Sequence, residues 1–438
     1  MHVNAGSELS CRVCRASLTR TFVDLGSAPP CEAILSPEAA EQGEVAYPLH
    51  VRVCTECLLV QLPEVLPADE IFTDEYPYFS SFSTSWIEHA RRYVESMRQR
   101  LGLTSDSFVV EVASNDGYLL QHVAQAGLRC LGVEPTANTA AAARERGIET
   151  EVCFLGRSSA TDIVERHGRA DLVVANNVYA HVPDLDDFTG GLATLLAEDG
   201  TLTIEVPHLM RLIELRQYDT IYHEHFQYYT LQTIARALAL GGLAVTDVEE
   251  LPTHGGSLRV YAQHDAHASE PSAAVIDLLA REKAAGLHDL EGLTGFESAV
   301  HSVKRDLLRF LLDAQEQGFT VAGYGAPGKG NTMLNHCGIG RDLLAFTVDM
   351  NPHKHGKFLP GSRIPVLAPS AIDEAQPDYV LVLPWNLREE IMRQLAPSVS
   401  SWGGKLVFAV PTLDIVDPAS TAVAATSPVA PVIQEVAR

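Results

Sequence analysis

Apolar positions along the chain fall into two patterns. Short apolar runs at 109–110, 130–133, 171–174 and 201–206 are bounded by turn residues and read as buried strands. Helical stretches lie between them, among them the alanine-rich 136–146. A further helix is expected over 84–101, closing near Gly102. Strand and helix in alternation predict a parallel, doubly wound sheet. The pattern then lengthens: residues 266–318 are acidic, alanine-rich and helical throughout, as long connecting helices would be. A second strand–turn–helix series follows, with strands at 320–322, 346–349 and 378–383. Beyond about 416 only Ala, Pro, Ser, Thr and Val predominate, which predicts a disordered tail.

A chain of 438 residues is too long for one core. The expected α/β divisions are 1–75, 76–265, 266–415 and the tail 416–438. Net charge is −24, and such a field repels phosphate backbones. No nucleic acid and no anionic membrane is therefore expected as partner. No apolar run reaches the roughly 18 residues that span a bilayer, and no charged-then-apolar leader opens the chain. The expected location is cytoplasmic.

The most informative turn follows the first of these strands. Phe108, Val109 and Val110 run into Glu111, then into the small, polar bend Ala113-Ser114-Asn115-Asp116-Gly117, then into Tyr118-Leu119-Leu120. In an open α/β sheet, ligands bind outside the carboxyl ends of the strands. The next strand ends in Glu134, seventeen positions after Gly117 and placed to hold a ribose diol. The loop after the third strand carries Asn176, Asn177 and His181. Further on comes Tyr222-His223-Glu224-His225, which is not an HExxH zinc helix, because its histidines stand two residues apart instead of four. A glycine turn then enters a strand, leaving Ser257 and Arg259 available for an anion. The second series opens on Gly323-Tyr324-Gly325-Ala326-Pro327-Gly328-Lys329-Gly330-Asn331 and has Asp349 about twenty residues on. This is the dinucleotide pattern, with Lys329 adding a cation.

Two shorter stretches carry their own chemistry. Cys11-Arg12-Val13-Cys14 and Cys54-Thr55-Glu56-Cys57 are CxxC knuckles thirty-nine residues apart. Four thiolates suit a tetrahedral zinc, in a structural role, because no position is left for water. Residues 71–85 are rich in aromatics and hydroxyls, with Tyr76, Tyr78, Ser80 and Ser81 as polar members.

The order of these motifs resembles one family. The cysteine knuckles, EVASNDGYLL, ANNVYAHVPD, YHEHFQYYT, THGGSLRVYA and GYGAPGKGNTMLN follow one another as in the three-domain sugar C-methyltransferases of antibiotic biosynthesis. The resemblance points most closely to enzymes that methylate carbon 3 of dTDP-3-amino-4-keto-2,3,6-trideoxyglucose on the tetronitrose-type route. It implies an N-terminal zinc-binding domain, a central Rossmann-like class I methyltransferase domain and a C-terminal Rossmann-like α/β domain for the nucleotide-sugar. Ala113 and Asn115 replace two glycines of the general ExGxGxG pattern, as in this subgroup.

By the resemblance, S-adenosylmethionine is the methyl donor. Its site is implied to comprise Glu111, Ala113, Ser114, Asn115, Gly117, Tyr118, Glu134, Asn176 and Asn177. His225 is the base, Glu224 and Tyr222 orient it or touch the sugar, His181 and Tyr222 face the ketone oxygen, and Tyr76 lines the pocket. Tyr78, Ser80, Ser257, Arg259, Gly325, Lys329 and Asn331 are the candidates for binding the dTDP-linked keto deoxysugar. A monomer is expected. Methylation at carbon 5, an NAD-dependent oxidoreductase built on the Gly323 turn, and a non-catalytic zinc- and nucleotide-binding protein are the alternatives.

Overall fold

The computed structural model describes residues 9–67, 70 and 79–419. They form two compact units, each assembled from separate stretches of chain. The first comprises 1–25, 49–215 and 223–297; the second comprises 26–48, 216–222 and 298–438.

The first unit is built on a seven-stranded sheet. Its strands are β1 (Phe108–Val112), β2 (Arg129–Val133), β3 (Thr150–Glu151), β4 (Ala170–Asn176), β5 (Leu196–Pro207), β6 (Leu243–Leu251) and β7 (Ser257–His264). They lie in the order β6-β7-β5-β4-β1-β2-β3. All pairs from β5 to β3 are parallel, and β7 is antiparallel to both β5 and β6. The central strand β1 is buried at every position, Glu111 included, which is why its other four residues are apolar instead of alternating with polar ones. The order reverses between β1 and β4, so the ligand crevice belongs at their carboxyl ends. The helix Thr84–Leu101 closes on Gly102, whose φ of 63° supplies the left-handed residue that ends helices. Three strands next to the cysteine knuckles in the chain (Arg20–Ala28, Tyr47–Val53 and Val60–Gln61) form a small sheet that Gln227–Tyr228 joins at its edge. The nine-residue strand Arg20–Ala28 has no counterpart in the sequence reading.

The second unit has β8 (Val321–Tyr324), β9 (Thr347–Val348), β10 (Lys357–Phe358), β11 (Pro365–Leu367), β12 (Tyr379–Val382), β13 (Lys405–Phe408) and β14 (Asp414–Val416). Their order is β10-β11-β9-β8-β12-β13-β14, with β8 parallel to β9 and β12. Segment 216–222 is fastened inside this unit. Trp385 Nε1 donates to Asp219 at 2.6 Å, and Thr332 Oγ1 donates to the Ile221 carbonyl at 3.1 Å. Tyr218 and Ile221 are fully buried. Among the described residues, no helix is long and apolar enough to cross a membrane.

Candidate active site and metal centre

The two CxxC knuckles fold alike. Arg15 N–H donates to the Cys11 carbonyl and Leu58 N–H to the Cys54 carbonyl, both at 3.0 Å. Cys11 N–H and Cys54 N–H then reach forward to the Ala16 and Leu59 carbonyls. Arg15 and Leu58 each follow the second cysteine and each turn left-handed, at φ 64° and 65°. The result gathers four Sγ atoms within 4.8 Å of one another, with Cys11–Cys57 and Cys14–Cys54 at 3.4 Å. A tetrahedral zinc with 2.3 Å bonds sets sulfurs about 3.8 Å apart, so the cage fits the ion. Gln61 Nε2 donates to Cys11 Sγ at 3.3 Å, the kind of outer hydrogen bond that orients a ligand.

At the crevice, the bend after β1 keeps the left-handed backbone that glycines usually provide. Ala113 (φ 56°), Asn115 (φ 50°) and Gly117 (φ 76°) alternate with residues of ordinary φ. Gly117 must also stay small: a Cβ there would come within 3.2 Å of Ile148 and 3.3 Å of Ala143. Glu134, at the end of β2, holds the bend. Its carboxylate accepts from Asn115 N–H at 2.8 Å, from Thr136 N–H at 3.0 Å and from Thr136 Oγ1 at 2.6 Å. A carboxylate has further lone-pair positions for a diol. Asn115 Oδ1 accepts from the Ser80 amide at 2.9 Å, which draws Ser80 onto the donor loop. Asp116 is paired to Arg146 at 2.9 Å.

Several buried polar atoms here lack a hydrogen-bond partner among the described residues: Glu111 Oε2, Ser114 Oγ, Asn176 Oδ1 and Asn177 Nδ2. Asn177 also turns left-handed, at φ 55°. Buried polar atoms are normally paired, so this set fits a polar cofactor at the carboxyl ends of β1 and β4. Burial pushes the Glu111 carboxyl well above the usual carboxylate range, and the charges of Glu134 and Asp116 push it the same way. Tyr118 is buried at the end of the bend, its ring 6.2 Å from that of Trp86.

His181 and His225 meet in the first unit, edge to face with ring centroids 4.8 Å apart. Tyr228 stands 6.5 Å from His225. Burial pushes the His181 imidazole down to about 4, opposed by a hydrogen bond to the Glu224 backbone and assisted by His254. His181 is therefore a neutral ring at neutral pH. Tyr222 falls in segment 216–222 of the second unit, although it is three residues from His225. Tyr76 and Tyr78 lie outside the described residues.

Two anion candidates turn inward. Arg259 is 5% exposed on β7, with guanidinium bonds to Glu205 at 3.3 Å and Glu249 at 3.0 Å and its plane over the Tyr93 ring. Ser257 Oγ donates to the Thr253 carbonyl at 3.0 Å and is buried. Within the β6–β7 hairpin Arg259's charge is matched by two carboxylates, and the Ser257 hydroxyl is taken up by a backbone carbonyl. In the second unit, Gly325 (φ 86°) opens the glycine turn, where a Cβ would strike Pro384. Asp349 holds this turn as Glu134 holds the other, accepting from Ala326 N–H at 2.7 Å. Lys329 donates to Asn386 Oδ1 at 2.8 Å and lies 5.1 Å from the Trp385 ring centre. Asn331 is buried and donates to the Cys31 carbonyl at 2.6 Å.

Sequence reasoning gave no role to Trp86, His89 or Glu205. Trp86 stacks on His89 at 4.8 Å, and His89 Nε2 meets buried Glu205 at 3.0 Å. The only local signal was an acid in the apolar strand β5.

Comparison with known proteins agrees with both centres. Three family profiles match the chain in succession: "Putative zinc binding domain" over 11–72, "Methyltransferase domain" over 86–248 and "C-methyltransferase C-terminal domain" over 252–411. The C-methyltransferase NovU of Streptomyces niveus is 37% identical over 411 residues, covering 94% of this chain and 97% of NovU. A ubiquinone biosynthesis O-methyltransferase of Rhodopseudomonas palustris (strain HaA2) is 24% identical, over 26% of this chain and 46% of its own. A solved S-adenosylmethionine-dependent methyltransferase from Anabaena variabilis aligns with 14% identity and a TM-score of 0.34, over 40% of this chain and 84% of its own. With its cysteine cage and its donor crevice, the chain belongs to the zinc-bearing, S-adenosylmethionine-dependent C-methyltransferase family that includes NovU.

Proposed function

We propose that the protein methylates carbon 3 of a dTDP-linked 3-amino-4-keto deoxysugar, with His225 as the base. The observation that carries this reading is the His181–His225 pair, ring centroids 4.8 Å apart, with His181 on the loop that follows β4. A 4-keto group acidifies the hydrogen on the neighbouring carbon, and a neutral imidazole is suited to remove it near neutral pH. S-adenosylmethionine supplies an electrophilic methyl group when bound. His225 would take the proton and leave a nucleophilic enolate carbon; the donor, held at the carboxyl ends of β1 and β4, would supply the methyl group and depart as S-adenosylhomocysteine. Negative charge then grows on the ketone oxygen, where a well-aimed donor is worth about 3 kcal/mol. Tyr222 is our candidate for that donor, with Glu224 and Tyr76 shaping the pocket. His181, neutral and bonded to the Glu224 backbone, supports the base instead of donating a charge.

Lys329 and Asn331 are the candidates for the nucleotide. The division into zinc-binding (1–75), methyl-donor (76–265) and nucleotide-sugar (266–415) parts remains our functional map of the chain. Family membership favours methyl transfer over the hydride chemistry considered for the Gly323 turn. Carbon 5 of a related sugar is the nearest alternative target.

The test uses a panel of dTDP-4-keto sugars in deuterium oxide, followed by mass spectrometry and NMR of the products. Wild-type protein should replace the carbon-3 hydrogen with a methyl group and, with S-adenosylhomocysteine in place of the donor, should exchange that hydrogen for deuterium in the unmethylated sugar. His225→Asn should lose turnover and exchange, by 100-fold or more on the order expected for a general base, while S-adenosylhomocysteine still binds. Turnover retained in that variant would remove His225 as the base; product methylated at carbon 5 would correct the target.

A further inference from the structure

One side chain of the first cysteine knuckle reaches away from the metal cage. Arg12 lies between Cys11 and Cys14, yet its guanidinium bonds to two backbone carbonyls far along the chain. Nε donates to the Pro183 carbonyl at 3.1 Å, and Nη1 donates to the Leu62 carbonyl at 2.8 Å. The group also lies over the Phe226 ring, 5.2 Å from its centre. Pro183 follows His181 by two residues, and Phe226 follows His225 by one. The fork therefore touches both loops that bring the two imidazoles together.

Backbone bonds join the same loops to each other and to the knuckle. Leu62 N–H donates to the Phe226 carbonyl at 2.9 Å, and Phe226 N–H donates to the Ala180 carbonyl at 2.8 Å. Gln227 Nε2 donates to the Val182 carbonyl at 2.7 Å. Leu62 continues the strand Val60–Gln61, which pairs antiparallel with Gln227–Tyr228. Gln61, fully buried, closes the circuit: its Oε1 accepts from the Arg12 amide at 3.1 Å while its Nε2 reaches Cys11 Sγ at 3.3 Å. Gln61 thus supports the cage, and the Arg12 guanidinium spans the loops. Hydrogen bonds from a charged donor are roughly twice as strong as neutral ones, and a planar fork fixes the separation of the acceptors it bridges.

We propose that Arg12 is a positioning residue for the reaction: mounted on the zinc knuckle, its fork sets the spacing of the loops that carry His181 and His225. The knuckle then serves the placement of the base as well as the fold. The donor bend after β1 is held separately, by Glu134. The inference rests on the reading of His225 as the base.

Arg12→Lys tests it, because lysine keeps the charge and the stem but presents a point charge in place of the fork. Arg12→Ala is the second variant and removes both bonds. Zinc content and S-adenosylhomocysteine binding of the two proteins should match wild type. In NMR spectra of histidine-labelled protein, cross-peaks between the His181 and His225 rings should weaken in Arg12→Lys and vanish in Arg12→Ala. With S-adenosylhomocysteine bound in deuterium oxide, exchange of the carbon-3 hydrogen should slow by about 10- to 100-fold, the size of loss that follows a displaced catalytic group. In turnover assays kcat should fall by the same factor while KM holds. Unchanged ring cross-peaks, or unchanged exchange, overturns the proposal. Zinc lost from Arg12→Lys overturns it too, since the side chain would then serve the cage. His225→Asn run in parallel separates the two ideas: turnover in that variant defeats the base assignment, and the ring cross-peaks of the Arg12 variants still decide whether Arg12 sets the loops.

Discussion

Ala113 and Asn115 stand where the general methyl-donor pattern has glycine, and both hold glycine's backbone shape at φ 56° and 50°. For a residue with a Cβ, this costs about 1–2 kcal/mol. The departure from glycine is visible in the sequence; the left-handed conformation is not, since it is held by Glu134 across the loop. Glu111 shows a second residue-scale effect. Its folded carboxyl titrates above the unfolded value, chiefly through burial. The folded state then binds the proton more tightly, so stability is greatest below the unfolded value and falls as pH rises toward the folded one. The protein without donor should melt at progressively lower temperature from pH 5 to pH 8. Glu111→Gln should flatten that slope and raise the melting temperature most at pH 8; parallel melting curves would refute this origin. The partners of Arg259 cannot be read at this scale, because Glu205 and Glu249 lie 54 and 10 residues upstream and meet it only across the sheet.

Elements were more legible than residues. The buried run of β1 and the helix Thr84–Leu101 follow from periodicity and a closing glycine. The knuckles follow from spacing, and the structure supplies the equivalent turns at Arg15 and Leu58 that make the spacing work. Metal analysis should find about one zinc per chain, and a Cys11→Ala/Cys54→Ala variant should lose it. That variant should also destabilise the first unit, because Cys11, Cys54, Cys57 and Leu59 belong to the same buried cluster as β1 and β4. A metal-free native protein with an unchanged melting curve would contradict the structural role. One element hides a partner: Glu282 falls in the stretch expected to form acidic, alanine-rich connecting helices, and it is fully buried. There it accepts from His208 at 2.8 Å and from the Leu231 amide at 2.5 Å, closing the start of helix Leu231–Leu238. A buried acid of this kind looks like any surface acid until its distant partners are known.

At the scale of the whole molecule, the sequence suggests parts in succession and the structure interleaves them. The chain passes between its two compact units after residues 25, 48, 215, 222 and 297. Local patterns cannot reveal this, since 26–48 and 216–222 are short and carry no period of their own. Truncation after Glu297 should therefore fail to give a soluble methyltransferase unit. It would strip Tyr218 and Ile221 of their packing and leave Asp219, already raised to about 6 by burial, without the Trp385 indole. A soluble, cooperatively melting 1–297 fragment would show the packing of segment 216–222 in the second unit to be dispensable.

Segment 216–222 also limits how this architecture can diversify. A single crossover between related genes exchanges one continuous end of the chain. To move the second unit intact, three stretches must travel together, and the shortest of them, 216–222, ends in Tyr222. Shuffling alone therefore cannot give one enzyme another's second unit while leaving that tyrosine behind. New specificities in this lineage should arise by substitution within an inherited pairing, and chimeras intended to redirect the enzyme should carry residues 26–48 and 216–222 with the C-terminal portion.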